Sequence, residues 1–182
     1  YSEEGNKVIA CARDMSAATL LDELAASSEN IRIEELDIAE SSSIESAASR
    51  IGKDNIDSII IVAGYVGGMP ENQTIDNIDL DEWHRTLNIN TIGPLLVAKA
   101  FKENLSSSGN GNLMILSSQL AASRWPMGGM YIYSTTKAAV SKVGQILALD
   151  WAEDPIIVSI MHPGWVQTDM GGPAAEITAE ES

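Results

Sequence analysis

A single cysteine, a single phenylalanine and eleven basic side chains are what this 182-residue chain has least of. One cysteine cannot close an internal disulfide, so the fold is expected to rest on burial and hydrogen bonding, in a reducing compartment. Cys11 sits in the apolar run Val8, Ile9, Ala10, Cys11, Ala12 and is expected to be a buried small hydrophobe rather than a nucleophile. Against the 11 basic residues stand 26 acidic ones, a formal charge of −15. That charge repels phosphate backbones and anionic membrane surfaces, which removes nucleic acid from the expected partners. No run approaches the roughly 18 consecutive apolar residues that a membrane helix needs, so no membrane partner is expected either. His84 and His162 stand far apart, without cysteines or carboxylates at ligand spacing, and no metal site is expected. No signal-peptide pattern is visible and the expected location is cytoplasmic. The chain opens on Tyr1, already in globular-looking sequence, and further residues are expected upstream.

The length suits one domain, 1–182, with a sizeable core. Residues 7–12, 31–36, 56–63, 112–117 and 156–161 are short, apolar and rich in Ile and Val, and read as strands buried on both faces. Between them, 16–27, 43–51, 80–105 and 131–152 carry Ala and Leu at three- and four-residue spacing and read as amphipathic helices. Ser41, Ser42 and Ser43 read as a helix cap. Parallel strands need a crossover between neighbours and a helix supplies it, so the alternation predicts an α/β fold: a doubly wound parallel sheet with helices on both faces. Gly67 to Pro70, 106–111 and Gly171 to Pro173 are loop signals.

Tyr133 and Lys137 are four residues apart, hence on one face of a predicted helix. A positive charge beside a phenol favours phenolate and is expected to pull its pKa down toward working pH, as a proton-transferring tyrosine requires. Such a pair is common by chance, but its surroundings add weight. The apolar strand Leu113 to Leu116 ends in Ser117 and Ser118, and the carboxyl ends of strands are where open α/β sheets bind ligands. In the predicted helix 80–105, Pro94 has no N–H to give the carbonyl of Asn90, which is therefore a candidate anchor for a water file toward Lys137, or simply the site of a kink. Trp125, Met127, Met130, Tyr131 and Trp165 flank this region, as an apolar substrate wall or as core anchors.

The ordered set Asp37 and Ile38, Ala63 and Gly64, Asn90, Ser117 and Ser118, Tyr133 with Lys137, and Pro163, Gly164, Val166, Thr168 resembles the short-chain dehydrogenase/reductase family over nearly the whole chain. Within it, residues 162–170 and 8–14 are most similar to the carbonyl reductase, sniffer and C-factor-like branch. The resemblance implies an oxidoreductase with a Rossmann-like fold that binds NADP(H), or less favourably NAD(H), and interconverts a small-molecule carbonyl and a secondary alcohol. It implies Tyr133 as proton donor or acceptor, Lys137 tuning it and holding the nicotinamide ribose, Ser118 (with Ser117 as fallback) fixing the substrate oxygen, and Asn90 supporting a water relay. For the cofactor it implies Asp37 and the Ile38 backbone at adenine, Ala63 and Gly64 along the ribose, and Val166 and Thr168 at the carboxamide. Arg13, where an NAD-selective site would offer a carboxylate, is expected to grip a phosphate. The helices at 80–105 and 131–152 are those that often pack between subunits of family homo-oligomers.

The chain departs from the family at Ile61 and Val62, where two asparagines are usual, and no glycine-rich phosphate loop is present. With the family's sheet order of 3-2-1-4-5-6-7, the first strand is expected to lie outside these residues, leaving a gap in mid-sheet. These departures keep two other readings open. One is a non-catalytic nucleotide-binding or interaction protein; the other is an isomerase or epimerase that recycles its nicotinamide.

Overall fold

Alternating apolar runs and amphipathic stretches become alternating strands and helices. The computed structural model describes residues 1–68 and 70–182, in two compact units, Tyr1–Gly52 and Lys53–Ser182. In the first, β1 (Val8–Ala12) and β2 (Ile31–Glu35) pair in parallel, Val8 opposite Ile31, joined by α1 (Thr19–Ser27). α2 (Ser41–Ile51) follows and buries Ile44, Ala47 and Ile51. The serines are not its cap: Glu40 stands at that position, and the Ser43 hydroxyl accepts the Asp37 N–H at 2.9 Å instead.

In the second unit β3 (Ser58–Ile61), β6 (Gly111–Leu116) and β7 (Ile156–Met161) form a parallel sheet in the order β3-β6-β7. Between β3 and β6 come a two-residue hairpin of β4 (Gln73–Thr74) and β5 (Asn77–Ile78), then α3 (Leu80–Leu87), α4 (Gly93–Ala100) and α5 (Lys102–Ser107). α6 (Tyr131–Asp150) crosses from β6 to β7. The loop signal around Gly68 includes Met69, which lies outside the described residues.

Burial on both faces holds best for the central strand. β6 alternates buried and half-buried residues, with Leu113 and Ile115 at 0% and 1% exposure, whereas Val62, Ile157 and Met161 beside or on the flanking strands are exposed. Cys11 is likewise exposed, against expectation, while its four neighbours in β1 are half-buried. The single helix expected at 80–105 is interrupted. One turn of π-helix, Asn88–Ile92, precedes Gly93 and Pro94, so the chain accommodates the missing proline N–H by widening a turn rather than by bending alone.

Candidate functional site

α6 starts on Met130, in the left-handed region at φ 53°, whose own side chain supplies no cap. Ile132, Thr136, Val140, Gly144 and Leu147 form its buried stripe. Tyr133, Lys137 and Ser141 lie one position further round and run along the end of β6. The Tyr133 phenol lies beside the Ser118 hydroxyl, whose Oγ accepts the Leu120 N–H at 3.2 Å. Lys137 Nζ donates to the carbonyl of Leu116 at 2.8 Å. Ser117 Oγ donates to the Lys137 carbonyl at 3.1 Å and shares a 2.7 Å contact with Ser141 Oγ. The two strand-end serines therefore differ: Ser117 is buried and engaged with the helix, and Ser118 faces the phenol.

Asn90 is 1% exposed and holds the segment after β3 with both ends of its amide. Oδ1 accepts the Tyr65 N–H and Nδ2 donates to the Tyr65 carbonyl, each at 2.8 Å. Nδ2 also donates to Thr136 Oγ1 at 3.0 Å, which donates to the carbonyl of Tyr133 at 2.9 Å. Thr91 Oγ1 donates to the Thr136 carbonyl at 2.9 Å. The π turn thus aims two consecutive side chains at α6. Gly64 lies where a Cβ would stand 3.4 Å from Lys137 Nζ and 3.7 Å from Asn90 Oδ1, so its bare backbone keeps the approach to the lysine open.

Burial pushes the Lys137 ammonium down to about 8. The same cause pushes the Tyr133 phenol up, opposed by the neighbouring Ser118 hydroxyl. This corrects the expectation that Lys137 would draw the phenol down. The ammonium is turned toward the Leu116 carbonyl and stands 5.8 Å from the centre of the tyrosine ring, so burial outweighs its field.

Val166 and Thr168 lie in a loop closed on itself: Val166 bridges to Ile177, and Thr168 Oγ1 accepts the Gly171 N–H at 3.1 Å. Ala63 and Val62 are exposed, and Ile61 is buried in β3. Trp125, Met127, Tyr131 and Trp165 are exposed rather than core anchors, as is Met170, whose methyl lies beside Gly64. Arg13, Asp37 and Ile38 belong to the N-terminal unit. There Arg13 is exposed, Ile38 is buried, and Asp37 Oδ1 accepts the Ala39 N–H at 2.9 Å. Gln73 and Thr136 were not singled out from the sequence; a lone polar residue in a loop, or one more hydroxyl in a Ser-Thr-Thr run, gives no periodic signal.

The parallel sheet, with a tyrosine and a buried lysine at the end of its central strand, defines a class. A sequence profile described as "short chain dehydrogenase" matches residues 1–178, and the chain belongs to that family. It is 32% identical to C-signal of Myxococcus xanthus over 109 residues, which are 59% of this chain and 66% of that protein. The chain thus spans about two thirds of that relative. Among solved structures, a short-chain dehydrogenase/reductase of Burkholderia multivorans with bound NADP superposes with a TM-score of 0.89 at 26% identity, covering 99% of this chain and 78% of that one. An NADPH-bound carbonyl reductase from chicken fatty liver gives 0.85 at 28% identity, with 96% and 75% covered. C-signal and a carbonyl reductase both agree with the branch indicated by the motifs.

Proposed function

We propose that this chain carries the catalytic part of an NADP(H)-dependent oxidoreductase that interconverts a small-molecule carbonyl and a secondary alcohol. The observation that carries the reading is Tyr133 beside Ser118 at the end of β6, with the buried Lys137 one turn further along α6 and the bare backbone of Gly64 next to its ammonium. Those residues fit a dinucleotide, because the space a Cβ would fill at Gly64 leads to an ammonium that gives one of its three N–H groups to Leu116. The cofactor supplies or takes the hydride when bound. Ser118 donates a hydrogen bond to the substrate oxygen, and Tyr133 protonates the alkoxide as charge gathers there. Lys137, charged below about pH 8, holds the ribose. Asn90, whose carbonyl receives no N–H from Pro94, anchors a water leading toward Lys137. Exposed Trp125, Met127, Trp165 and Met170 favour an apolar group on the substrate. Exposed Ile92, Leu95, Ile146 and Leu149, on or beside α4 and α6, support association into a homo-oligomer.

The test is NADP(H) and NAD(H) titration of the full-length protein, followed by cofactor consumption against a panel of aryl and alkyl ketones. NADPH consumption is expected. Binding without consumption on any carbonyl would favour a non-catalytic role, and cofactor retained through turnover would favour an isomerase. Arg13→Ala is expected to shift the NADP-to-NAD ratio of kcat/KM about tenfold toward NAD, the loss of one charge-assisted phosphate contact. An unchanged ratio would remove Arg13 from the site.

A further inference from the structure

We infer that Gln73 is a positioning residue for Tyr133, capping the catalytic helix from sixty residues away; the inference rests on the reading of Tyr133 as the proton-transferring group. Gln73 is 0% exposed, and each polar atom of its amide is committed. Nε2 donates to the carbonyls of Val66 at 2.8 Å and Gly68 at 3.3 Å. Oε1 accepts the backbone N–H of Tyr133 at 3.0 Å. Carbonyls only accept and an N–H only donates, so the amide has one workable orientation.

That N–H belongs to the first turn of α6, where an α-helix has no internal partner for its donors. A serine, threonine or aspartate at the N-cap ordinarily supplies one, but Met130 cannot. Gln73 takes over that task from a different part of the fold, and it is rigidly mounted. The hairpin β4–β5 fixes its backbone through Gln73 opposite Ile78 and Thr74 opposite Asn77, and Asn77 Nδ2 donates back to Asn72 Oδ1 at 3.0 Å. The carbonyls it grips flank Gly67, whose backbone at φ 82° approaches so near to α6 that a Cβ would stand 2.7 Å from Ile132 Cγ2.

The geometry has a second half. Asn90 fixes the upstream part of this segment at Tyr65, and Gln73 fixes the downstream part at Val66 and Gly68. Asn90 reaches the carbonyl of Tyr133 through Thr136, and Gln73 holds the N–H of Tyr133 directly. Two buried amides therefore tie both backbone polar groups of Tyr133 to the strip whose start, Gly64, lies beside Lys137. Losing one should swing the phenol relative to Ser118 while leaving the cofactor contacts of Lys137 in place.

Two variants of the full-length enzyme, with Tyr133→Phe as control, separate this role from simple support. Gln73→Leu removes the acceptor and both donors at similar volume, and kcat per folded molecule is expected to fall about 10- to 100-fold with the KM for NADPH within about twofold, the size of effect an ångström of misplacement produces. Gln73→Glu supplies its own switch. Protonated, it can accept from Tyr133 N–H and donate to Val66 or Gly68; ionised, it faces two carbonyls and loses the donor. Its kcat relative to wild type is expected to drop as pH rises through the raised pKa of that buried carboxyl, at temperatures where circular dichroism shows it folded. Wild-type kcat in folded Gln73→Leu, or a Gln73→Glu to wild-type ratio independent of pH, would overturn the inference. If Gln73→Leu fails to fold, the Gln73→Glu profile alone decides. A fully active Tyr133→Phe would instead overturn the proposed function, whatever the Gln73 variants do.

Discussion

The two units hold their polar groups by opposite means. In Tyr1–Gly52 the buried carboxylate of Glu34 is gripped by two half-exposed guanidiniums, Arg32 and Arg50, over a small core of Ile38, Ile44, Ala47 and Ile51. In Lys53–Ser182 the buried polar side chains are, apart from Lys137, neutral: Gln73, Thr86, Asn90, Thr91, Asn104, Ser117 and Thr136. Neutral amides and hydroxyls can be buried at little cost if every donor and acceptor is met, and their directionality fixes geometry more tightly than a screened ion pair does. The lesson is that the unit proposed to carry the chemistry spends its directional bonds around one charge, while the other uses charges where water can reach them.

Five substitutions sharpen or break that contrast. The largest effect is expected from Tyr133→Phe, which should lower kcat about 10² to 10⁴-fold with cofactor affinity little changed. Tyr131→Phe, two positions away and exposed, should leave steady-state turnover near wild type. Equal effects at the two positions would erase the special standing of Tyr133.

Lys137→Met should abolish most turnover and weaken cofactor binding, yet at neutral pH it should not destabilise the fold as losing a buried contact would. The folded-state pKa of Lys137, about 8, lies below its ordinary 10.5, so the unfolded chain binds the proton more tightly. Wild-type stability should therefore rise with pH between about 8 and 10.5, by on the order of 3 kcal/mol, and the methionine variant should lack that rise. Urea midpoints at pH 7 and pH 10 measure it; parallel curves for the two proteins would remove the buried charge from the account.

Gly67→Ala forces a side chain into a left-handed backbone and against Ile132 and Thr86. It should cost about 2 kcal/mol or more, read as a lowered Tm, and a neutral result would mean that the loop docks on α6 less tightly than described. The smallest effect belongs to the other unit. Arg50→Ala should cost about 1 kcal/mol, since its guanidinium is half exposed. Its hydrogen bond is the main cause holding the Glu34 carboxyl below its usual range, so this contribution is present above pH 4 to 5 and fades as pH falls through the lowered pKa. A loss several times larger would show that the first unit, too, depends on directional burial.

What was legible in the sequence follows from what leaves a periodic trace. β6 and α6 were placed within two residues because four large apolar residues in a row, Leu113 to Leu116, and a twenty-residue amphipathic pattern leave few alternatives. Tyr133, Lys137 and Ser118 could be picked out because they fall at the ends and edges of those elements. The hairpin β4–β5 was missed because two-residue strands show no alternation, and Gln73 was missed with it. The shift of Tyr133 was misjudged because sequence gives the spacing of two groups but not the burial around them, nor that the ammonium would find the Leu116 carbonyl. Cys11 was expected inside because its neighbours in sequence are apolar, while exposure depends on what packs on β1.

The widened turn at Asn88–Ile92 also sets how the chain tolerates changes of length. A π turn carries one residue more than the α-helical ladder needs. Deleting a single residue there would let the helix close into regular register, rotating everything upstream by about a quarter-turn relative to everything downstream. Asn90 and Thr91 would then no longer both face Thr136, and Pro94 would fall where a regular helix asks it for an N–H. The surplus residue is thus the one position in this helical stretch where shortening, rather than substitution, should dismantle the site while leaving the sheet intact.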